Sequence, residues 1–169
     1  MKQTDNFKFD EANVMNELVY RNLSEDAKRQ ICAWKYGGEY DLYNLPSYEE
    51  MQVRQIGFMN PQRGKNYYGF WDESILVGFV NILEEKEEVF IGIGVNPDLC
   101  NKHYGQRMLL ITYEISKKLY PDKPLYLEVR TWNIRAVKCY QKAGFRIDGQ
   151  AYELTTGIGT GTFYRMIRE

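Results

Sequence analysis

The chain has 169 residues and a formal net charge of −1 at pH 7, and 44% of its residues are hydrophobic. This length and composition predict one globular domain with its own core and exclude an intrinsically disordered chain. The balanced charge argues against a protein that coats nucleic acid, because such a surface would be basic. No apolar run is long enough to span a bilayer, and the N-terminal segment lacks a signal-peptide core, so we expect no membrane partner.

The cysteines are odd in number, and no pair of them has the spacing of metal ligands. They therefore predict reduced thiols in a cytoplasmic protein that uses no metal. The three residues are Cys32, Cys100 and Cys139.

We expect an N-terminal extension over residues 1–16 and one domain over residues 17–169. The first predicted elements of the domain are a strand over 18–23, a helix from the N-cap Ser24 to about Lys35, a helix from the N-cap Ser47 to Ile56, and strands over 67–71, 75–83 and 88–95. The later ones are a helix over 104–119, a strand over 125–130, a helix over 134–143 ended by Gly144, and strands over 145–153 and 162–168 joined by a flexible loop over 155–161.

The turn from Cys100 to Gly105 leads into the long helix. A helix N-terminus presents N–H groups without intrahelical partners, and these groups bind anions. Gly105 lets the backbone approach a ligand closely, and Lys102 adds positive charge. The turn therefore predicts a diphosphate site, and an ordinary strand–loop–helix junction is the alternative.

Two glycines, Gly92 and Gly94, interrupt the strand before this turn. Interior glycines weaken a strand and often mark the approach of a ligand or of another backbone. The alternative is that they accommodate a bulky neighbouring side chain.

A second segment, LEVRTWNIRAVKCYQKAGF, predicts a strand followed by a short helix. Asn133 and Tyr140 are seven residues apart, which is about two helical turns, so both can face the same side. Asn133 can cap the helix, bind a ligand amide, or do both.

These segments resemble the acyl-CoA site of the GNAT acetyltransferases, and the resemblance covers most of the chain from Leu18 onward. The second segment carries the family pattern of an apolar strand, Asn-x-Arg-Ala, Tyr and Gly-Phe. The turn is similar to the family's Q/R-x-x-G-x-G/A signature only at Gly105, because Cys100 and His103 replace its first residue and first glycine. A left-handed backbone at His103 would carry strain of about 1–3 kcal/mol.

The resemblance implies a single-domain α/β (α+β) fold with a central mixed, mostly antiparallel sheet of about seven strands flanked by about four helices. It also implies an N-acetyltransferase that moves an acetyl group from acetyl-CoA, its cosubstrate, directly to a primary amine in a ternary complex. In the family, the strand before the turn splays from the next strand, and the pantetheine amides pair with its open edge. The expected coenzyme A ligands are Ile93, Gly94, Val95, Cys100, Asn101, Lys102, His103, Tyr104, Gly105, Gln106, Asn133 and Tyr140.

The resemblance also suggests an acid and a base. Tyr140 matches the family's tyrosine beside the CoA sulfur and is the expected general acid. Glu128 matches the glutamate that serves as base in the GNAT enzymes that acetylate ribosomal-protein N-termini. Glu128 could instead pair with Arg130 or Lys123, and Glu88 is the competing base.

The amine acceptor stays open between a small cationic amine and a protein N-terminus. The loop before the second helix should cover it, and its acidic and aromatic side chains could hold a cation. Alternatively, the aromatics only pack this loop on the core. The side chains concerned are Glu39, Tyr40, Asp41, Tyr43 and Tyr48, and segment 155–161 could form the other wall.

Two further functions remain open. One is a non-catalytic acyl-CoA-binding regulatory module, which the altered turn allows. The other is an interaction domain that has lost CoA binding. The edge strands are compatible with either a monomer or a homodimer.

Overall fold

The computed structural model describes residues 18–169, so the predicted extension over residues 1–16 lies outside the described residues. This part of the chain forms eight strands and four α-helices. They are β1 (Val19–Asn22), α1 (Glu25–Ala33), α2 (Tyr48–Arg54), β2 (Tyr67–Asp72), β3 (Ile75–Glu84), β4 (Val89–Val95), α3 (Tyr104–Leu119), β5 (Leu125–Arg130), α4 (Ile134–Lys142), β6 (Arg146–Ile147), β7 (Tyr152–Thr156) and β8 (Gly159–Arg168).

All strands join one sheet in the order β1-β2-β3-β4-β5-β8-β6, and β7 also pairs with β8. Every pairing is antiparallel except the parallel pairing of β4 with β5. This topology confirms the predicted mixed, mostly antiparallel sheet flanked by helices. No helix within residues 18–169 is long and apolar enough to cross a bilayer.

The sheet opens between β4 and β5. The two strands pair only at Val89 with Leu125 and at Phe90 with Tyr126, and beyond these positions they diverge. The Asn96 N–H donates to the Val77 carbonyl on β3 over 2.9 Å. Because backbone groups alternate sides along a strand, the N–H and C=O groups of Ile93 and Val95 point away from β3, into the gap. The predicted splay and open edge are therefore confirmed.

Two hydrophobic clusters cover the two faces of the sheet. Consecutive residues of a strand point to opposite faces, and Phe70 belongs to one cluster whereas Trp71 belongs to the other. Met108 and Ile115 of α3 and Val137 of α4 complete the first cluster. Helices α1 and α2 complete the second. The helices α3 and α4 therefore lie on one face, over the diverging strands.

Helix caps confirm the predicted starts of the first two helices. The Ser24 hydroxyl accepts a hydrogen bond from the Ala27 N–H (3.2 Å), and the Ser47 hydroxyl accepts one from the Glu50 N–H (3.1 Å). Both helices end about two residues earlier than predicted. Helix α2 ends because Gln55 adopts a left-handed conformation with φ of 51°.

The C-terminal part corrects two predictions. The strand predicted over 145–153 is two strands, β6 and β7, separated by a turn in which Gly149 has φ of 76°. The loop predicted over 155–161 is a β-hairpin, in which β7 and β8 pair from Tyr152 with Phe163 to Thr156 with Gly159. This run of small residues lacks the alternation of apolar and polar residues that predicts a strand, so only the pairing with β8 reveals it.

Candidate active site

A cavity of about 710 Å³ occupies the gap between β4 and β5. Its walls come from β4, the start of α3, β5, α4, the segment after α1, and the hairpin tip Thr156–Ile158. This volume lies within the usual range for ligand sites. The two segments singled out from the sequence therefore meet at one cavity.

The cavity gathers nearly all of the residues expected to act on coenzyme A or on the acceptor. Lys102 is exposed and is not among the lining residues. The expected residues that do line it are Ile93, Gly94, Val95, Cys100, Asn101, His103, Tyr104, Gly105, Gln106, Glu128, Asn133 and Tyr140.

The open edge of β4 presents backbone hydrogen-bonding groups to the cavity. The Tyr36 hydroxyl donates to the Val95 carbonyl over 2.6 Å, so this carbonyl already has a partner. The N–H and C=O groups of Ile93 face the same gap and can pair with an amide-bearing ligand. Gly94 has a different explanation, because a Cβ at this position would clash with the Phe79 ring. The bulky-neighbour alternative therefore holds at Gly94.

Two residues of the turn before α3 adopt a backbone conformation that usually requires glycine, although neither of them is glycine. Asn101 and His103 both lie in the left-handed region, with φ of 63° and 64°. The left-handed conformation considered for His103 is therefore present. No side chain in the described part of the chain caps α3. The N–H groups of its first turn remain available to an anion.

Gly105 and Tyr104 fix the start of α3. A Cβ on Gly105 would lie 2.9 Å from the Cys139 Sγ, so only glycine lets α3 approach α4 this closely. The Tyr104 hydroxyl donates to the Asp72 carboxylate over 2.6 Å and ties the helix start to the end of β2. Both contacts hold the turn at the cavity.

Three cations on α4 also line the cavity, and the sequence analysis missed them. Arg135, Lys138 and Lys142 follow one another at intervals of three and four residues, which places them along one helical face. The signal was therefore present in the sequence. These side chains can neutralise phosphate groups near the start of α3.

Asn133 is both a cap and a cavity residue. Its side-chain oxygen accepts from the Ala136 N–H (3.2 Å), and its amide nitrogen donates to the Tyr43 hydroxyl (3.3 Å). Only 7% of its surface is exposed. The capping alternative is therefore confirmed, and the amide also joins α4 to the segment after α1.

Tyr140 lies deep in the cavity. Burial raises the pKa of its phenol well above the ordinary value of 10.0, and Cys139 and Tyr43 act in the same direction. Burial likewise raises the pKa of the adjacent Cys139 thiol. Tyr140 therefore keeps its proton at neutral pH.

The two candidate bases have different surroundings. Glu128 lines the cavity and accepts a hydrogen bond from the Tyr152 hydroxyl over 3.0 Å. Within residues 18–169 it forms no salt bridge with Arg130 or Lys123. Glu88 pairs with Arg165 instead and is not a lining residue.

The sequence left two alternatives for the acidic and aromatic side chains before α2, which were cation binding and packing on the core. Of the five side chains considered there for cation binding, Tyr43 lines the cavity, and Tyr36 of the same segment lines it as well. Tyr40 and Tyr43 pack on Trp132, and the Arg135 guanidinium lies 4.0 Å from the centre of the Tyr40 ring. Packing by aromatics therefore describes this segment better. The side chains that do not line the cavity are Glu39, Tyr40, Asp41 and Tyr48.

The thiols and acids of residues 18–169 form no cluster that could hold a metal ion, and the three cysteines are free.

Comparison with known proteins identifies the family. The family model described as "Acetyltransferase (GNAT) family" matches residues 29–145, which is more than half of the chain. The chain therefore belongs to the GNAT acetyltransferase family. No curated protein sequence matches the chain significantly.

Solved structures show the same fold. A chimera of the spermidine N-acetyltransferase SpeG from Vibrio cholerae and hSSAT superposes with a TM-score of 0.71 at 20% identity, covering 89% of this chain and 94% of that one. A GNAT acetyltransferase from Bacillus anthracis gives 0.69 at 16% identity, with coverages of 90% and 94%. One from Streptococcus pneumoniae gives 0.65 at 23% identity, with coverages of 90% and 98%.

Proposed function

We propose that this acetyltransferase transfers an acetyl group from acetyl-CoA directly to a primary amine within a ternary complex. The observation that carries the proposal is the cavity itself. It brings an open strand edge, an uncapped helix N-terminus, a protonated tyrosine and a carboxylate to one space. We further propose that residues 17–169 form the N-acetyltransferase domain and that residues 1–16 are an extension to it.

The described residues fit a coenzyme A ligand. The Ile93 backbone pairs with amides of the pantetheine arm, and the first turn of α3 holds the diphosphate. Arg135, Lys138 and Lys142 offset the negative charge of the phosphates. Bound acetyl-CoA supplies the acetyl group as an activated thioester.

Tyr140 acts as the general acid and gives its proton to the departing sulfur. An ordinary thiol has a pKa of about 8.5 and an ordinary phenol about 10, so this transfer is uphill by roughly 2 kcal/mol in water. Burial raises the pKa of the Tyr140 phenol, and it raises the pKa of a sulfur beside it for the same reason. The gap between donor and acceptor therefore stays small enough for useful proton donation.

Glu128 acts as the general base and removes the proton of the attacking amine, directly or through one water molecule. The hydrogen bond from the Tyr152 hydroxyl holds its carboxylate in place. An α-amine, with a pKa of about 8, is roughly a tenth neutral at pH 7, whereas a lysine is neutral about once in a few thousand. Because a larger fraction of an α-amine is already neutral, its acetylation depends less on this base than the acetylation of a lysine does.

The acceptor is a primary amine, either a small molecule or the N-terminus of a protein. Some structural neighbours are spermidine N-acetyltransferases, and this agrees with an amine acceptor. Their low identity gives no reason to choose spermidine. The free cysteines suit a cytoplasmic location.

Two measurements on the full chain test the proposal. Calorimetry with acetyl-CoA should show stoichiometric binding, and a thiol-release assay over amino acids, amino-acid amides, polyamines, aminoglycosides and short peptides should show turnover. Binding without turnover on any amine would favour an acyl-CoA-binding module. No binding would favour an interaction domain.

A further inference from the structure

A buried arginine in the cavity has no role in the mechanism above. Arg130 lines the cavity, and only 7% of its surface is exposed. Its guanidinium donates to the carbonyls of Gly159 (3.3 Å) and Thr160 (3.4 Å), and its Nε has no hydrogen-bond partner. No carboxylate within residues 18–169 forms a salt bridge with it.

Two long hydrogen bonds to neutral carbonyls do not balance a buried positive charge. Removing a guanidinium from water is costly unless an opposite charge or a full set of acceptors replaces the water. The centre of the Phe163 ring, 5.0 Å away, provides partial compensation. Arg130 therefore has unused capacity to bind an anion.

The hairpin is shaped around this side chain. Gly161 lies on β8, and a Cβ at this position would clash with the Arg130 guanidinium. The φ of Gly161 is not in the left-handed region, so the backbone does not require glycine there. The glycine instead makes room for the guanidinium beside the cavity.

Arg130 and Glu128 are two residues apart on β5 and therefore point to the same side of the strand. Two residues of a strand span about 7 Å. A ligand whose amine lies at the Glu128 carboxylate can therefore place a second group at the guanidinium. Arginine binds carboxylates through two parallel hydrogen bonds.

We propose that the acceptor is an amino acid or another small primary amine with a carboxylate, and that Arg130 binds this carboxylate. This inference rests on the proposed transfer to a primary amine and narrows the acceptor class. A polyamine would place a second positive charge against Arg130, so the same geometry disfavours it.

Matched pairs of acceptors test this inference. Thiol release is measured for the standard amino acids that have a primary amine and for their α-amides, which keep the amine and lack the α-carboxylate. We expect at least one amino acid to exceed its amide by about 10- to 100-fold in kcat/KM. Arg130→Met should remove this preference by lowering the value for the acid alone, and Arg130→Lys should restore part of it. Arg146→Met, which changes an exposed arginine, should behave like the wild type.

A role confined to holding the hairpin would give a different result. Arg130→Met would then lower the melting temperature and reduce kcat/KM equally for both members of each pair. Gly161→Ala separates the two roles, because it displaces the guanidinium and keeps the charge. We expect it to lower the preference for the acid.

Measuring the affinity for an amino acid tests the inference independently of turnover. With CoA present, calorimetry should detect an amino acid that binds the wild type and loses affinity about 10-fold or more in Arg130→Met. If no amino acid binds or reacts, or if amides and spermidine are preferred, the inference is wrong, and turnover on those amines would still support the proposed transfer. Binding of both CoA and an amino acid, without turnover on any amine, would refute only the transfer.

Discussion

The two halves of the cavity are built in different ways. The half formed by β4 and the start of α3 offers mainly backbone groups, such as those of Ile93 and the first turn of the helix. The half formed by β5 and the β7–β8 hairpin offers side chains, notably Glu128 and Arg130. A backbone site tolerates changes of side chain as long as the conformation survives. This explains how His103 stands where the family signature has glycine.

The comparison predicts that single side chains matter most at the reacting centre, where the halves meet. Tyr140→Phe should lower kcat by about 10³-fold, because it removes the proton donor, and should leave acetyl-CoA affinity almost unchanged. Stopped-flow or steady-state kinetics with an identified acceptor measures the effect. The control is Tyr113→Phe, which removes an exposed hydroxyl that donates to the Glu169 carbonyl. Full activity of Tyr140→Phe would transfer the acid role to another group.

The pH dependence of kcat tests the assignment of Tyr140 as the general acid. Burial raises the pKa of the folded-state phenol above its ordinary value, so the proton-carrying form persists to a higher pH than in a free tyrosine. The kcat of the wild type should therefore stay level from pH 8 to about pH 10. A rate that falls within this window in the wild type, and not in Tyr140→Phe, would contradict the raised pKa.

Removing the Glu128 carboxylate should lower kcat less than removing the Tyr140 hydroxyl. We expect Glu128→Gln to lower kcat by about 10²-fold and to flatten the low-pH limb of the rate profile, because the substitution removes the proposed general base. Glu88→Gln is the matched control, since Glu88 pairs with Arg165 outside the cavity. Equal profiles for Glu128→Gln and the wild type would exclude Glu128 as the base.

Changes at the backbone half should act on affinity. Gly105→Ala forces α3 away from the Cys139 Sγ and should weaken acetyl-CoA binding by roughly 10-fold, which corresponds to about 1.4 kcal/mol. Gly37→Ala adds the same methyl group where nothing lies within 4 Å, and its affinity should match the wild type. Calorimetry compares the two, and equal dissociation constants would mean that the helix spacing is unimportant for binding.

The smallest effect is expected at His103. Replacing it with glycine relieves a left-handed backbone and should raise the free energy of unfolding by up to about 1 kcal/mol, since the entropy of the unfolded chain offsets part of the gain. Asn101→Gly should gain less, because asparagine tolerates the same conformation better. Urea denaturation measures both, and a loss of stability in His103→Gly would show that its side chain is structurally important.

The sequence predicted the elements with clear periodicity. Helix α3 and strand β5 have their predicted bounds, because the 3.6-residue and two-residue patterns are strong there. The hairpin was missed because its small polar residues carry no such pattern. The reason for its Gly161 lies 31 positions earlier in the chain, at Arg130.

The sequence predicted those parts of the candidate site that belong to a single local motif. Asn133, Tyr140 and the turn before α3 all reach the cavity. The sequence left the role of the loop aromatics open between cation binding and packing, and the structure favours packing because cations from other elements already cover two of them. Arg135 lies over Tyr40, and Arg29 lies 3.8 Å from the centre of the Tyr48 ring. Such contacts depend on the tertiary fold, which local patterns do not reveal.

The short pairing between β4 and β5 opens the cavity and also marks the boundary between two halves of the sheet. Strands β1–β4 come from residues 19–95 and β5–β8 from residues 125–168, so the sheet consists of two consecutive stretches of chain. Two residue pairs of the sheet, the ion pair between Glu88 and Arg165, and the packing of α3 and α4 join them. A molecule bound in the gap contacts both stretches and therefore links them. Cosubstrate binding should therefore strengthen the cohesion of the two parts.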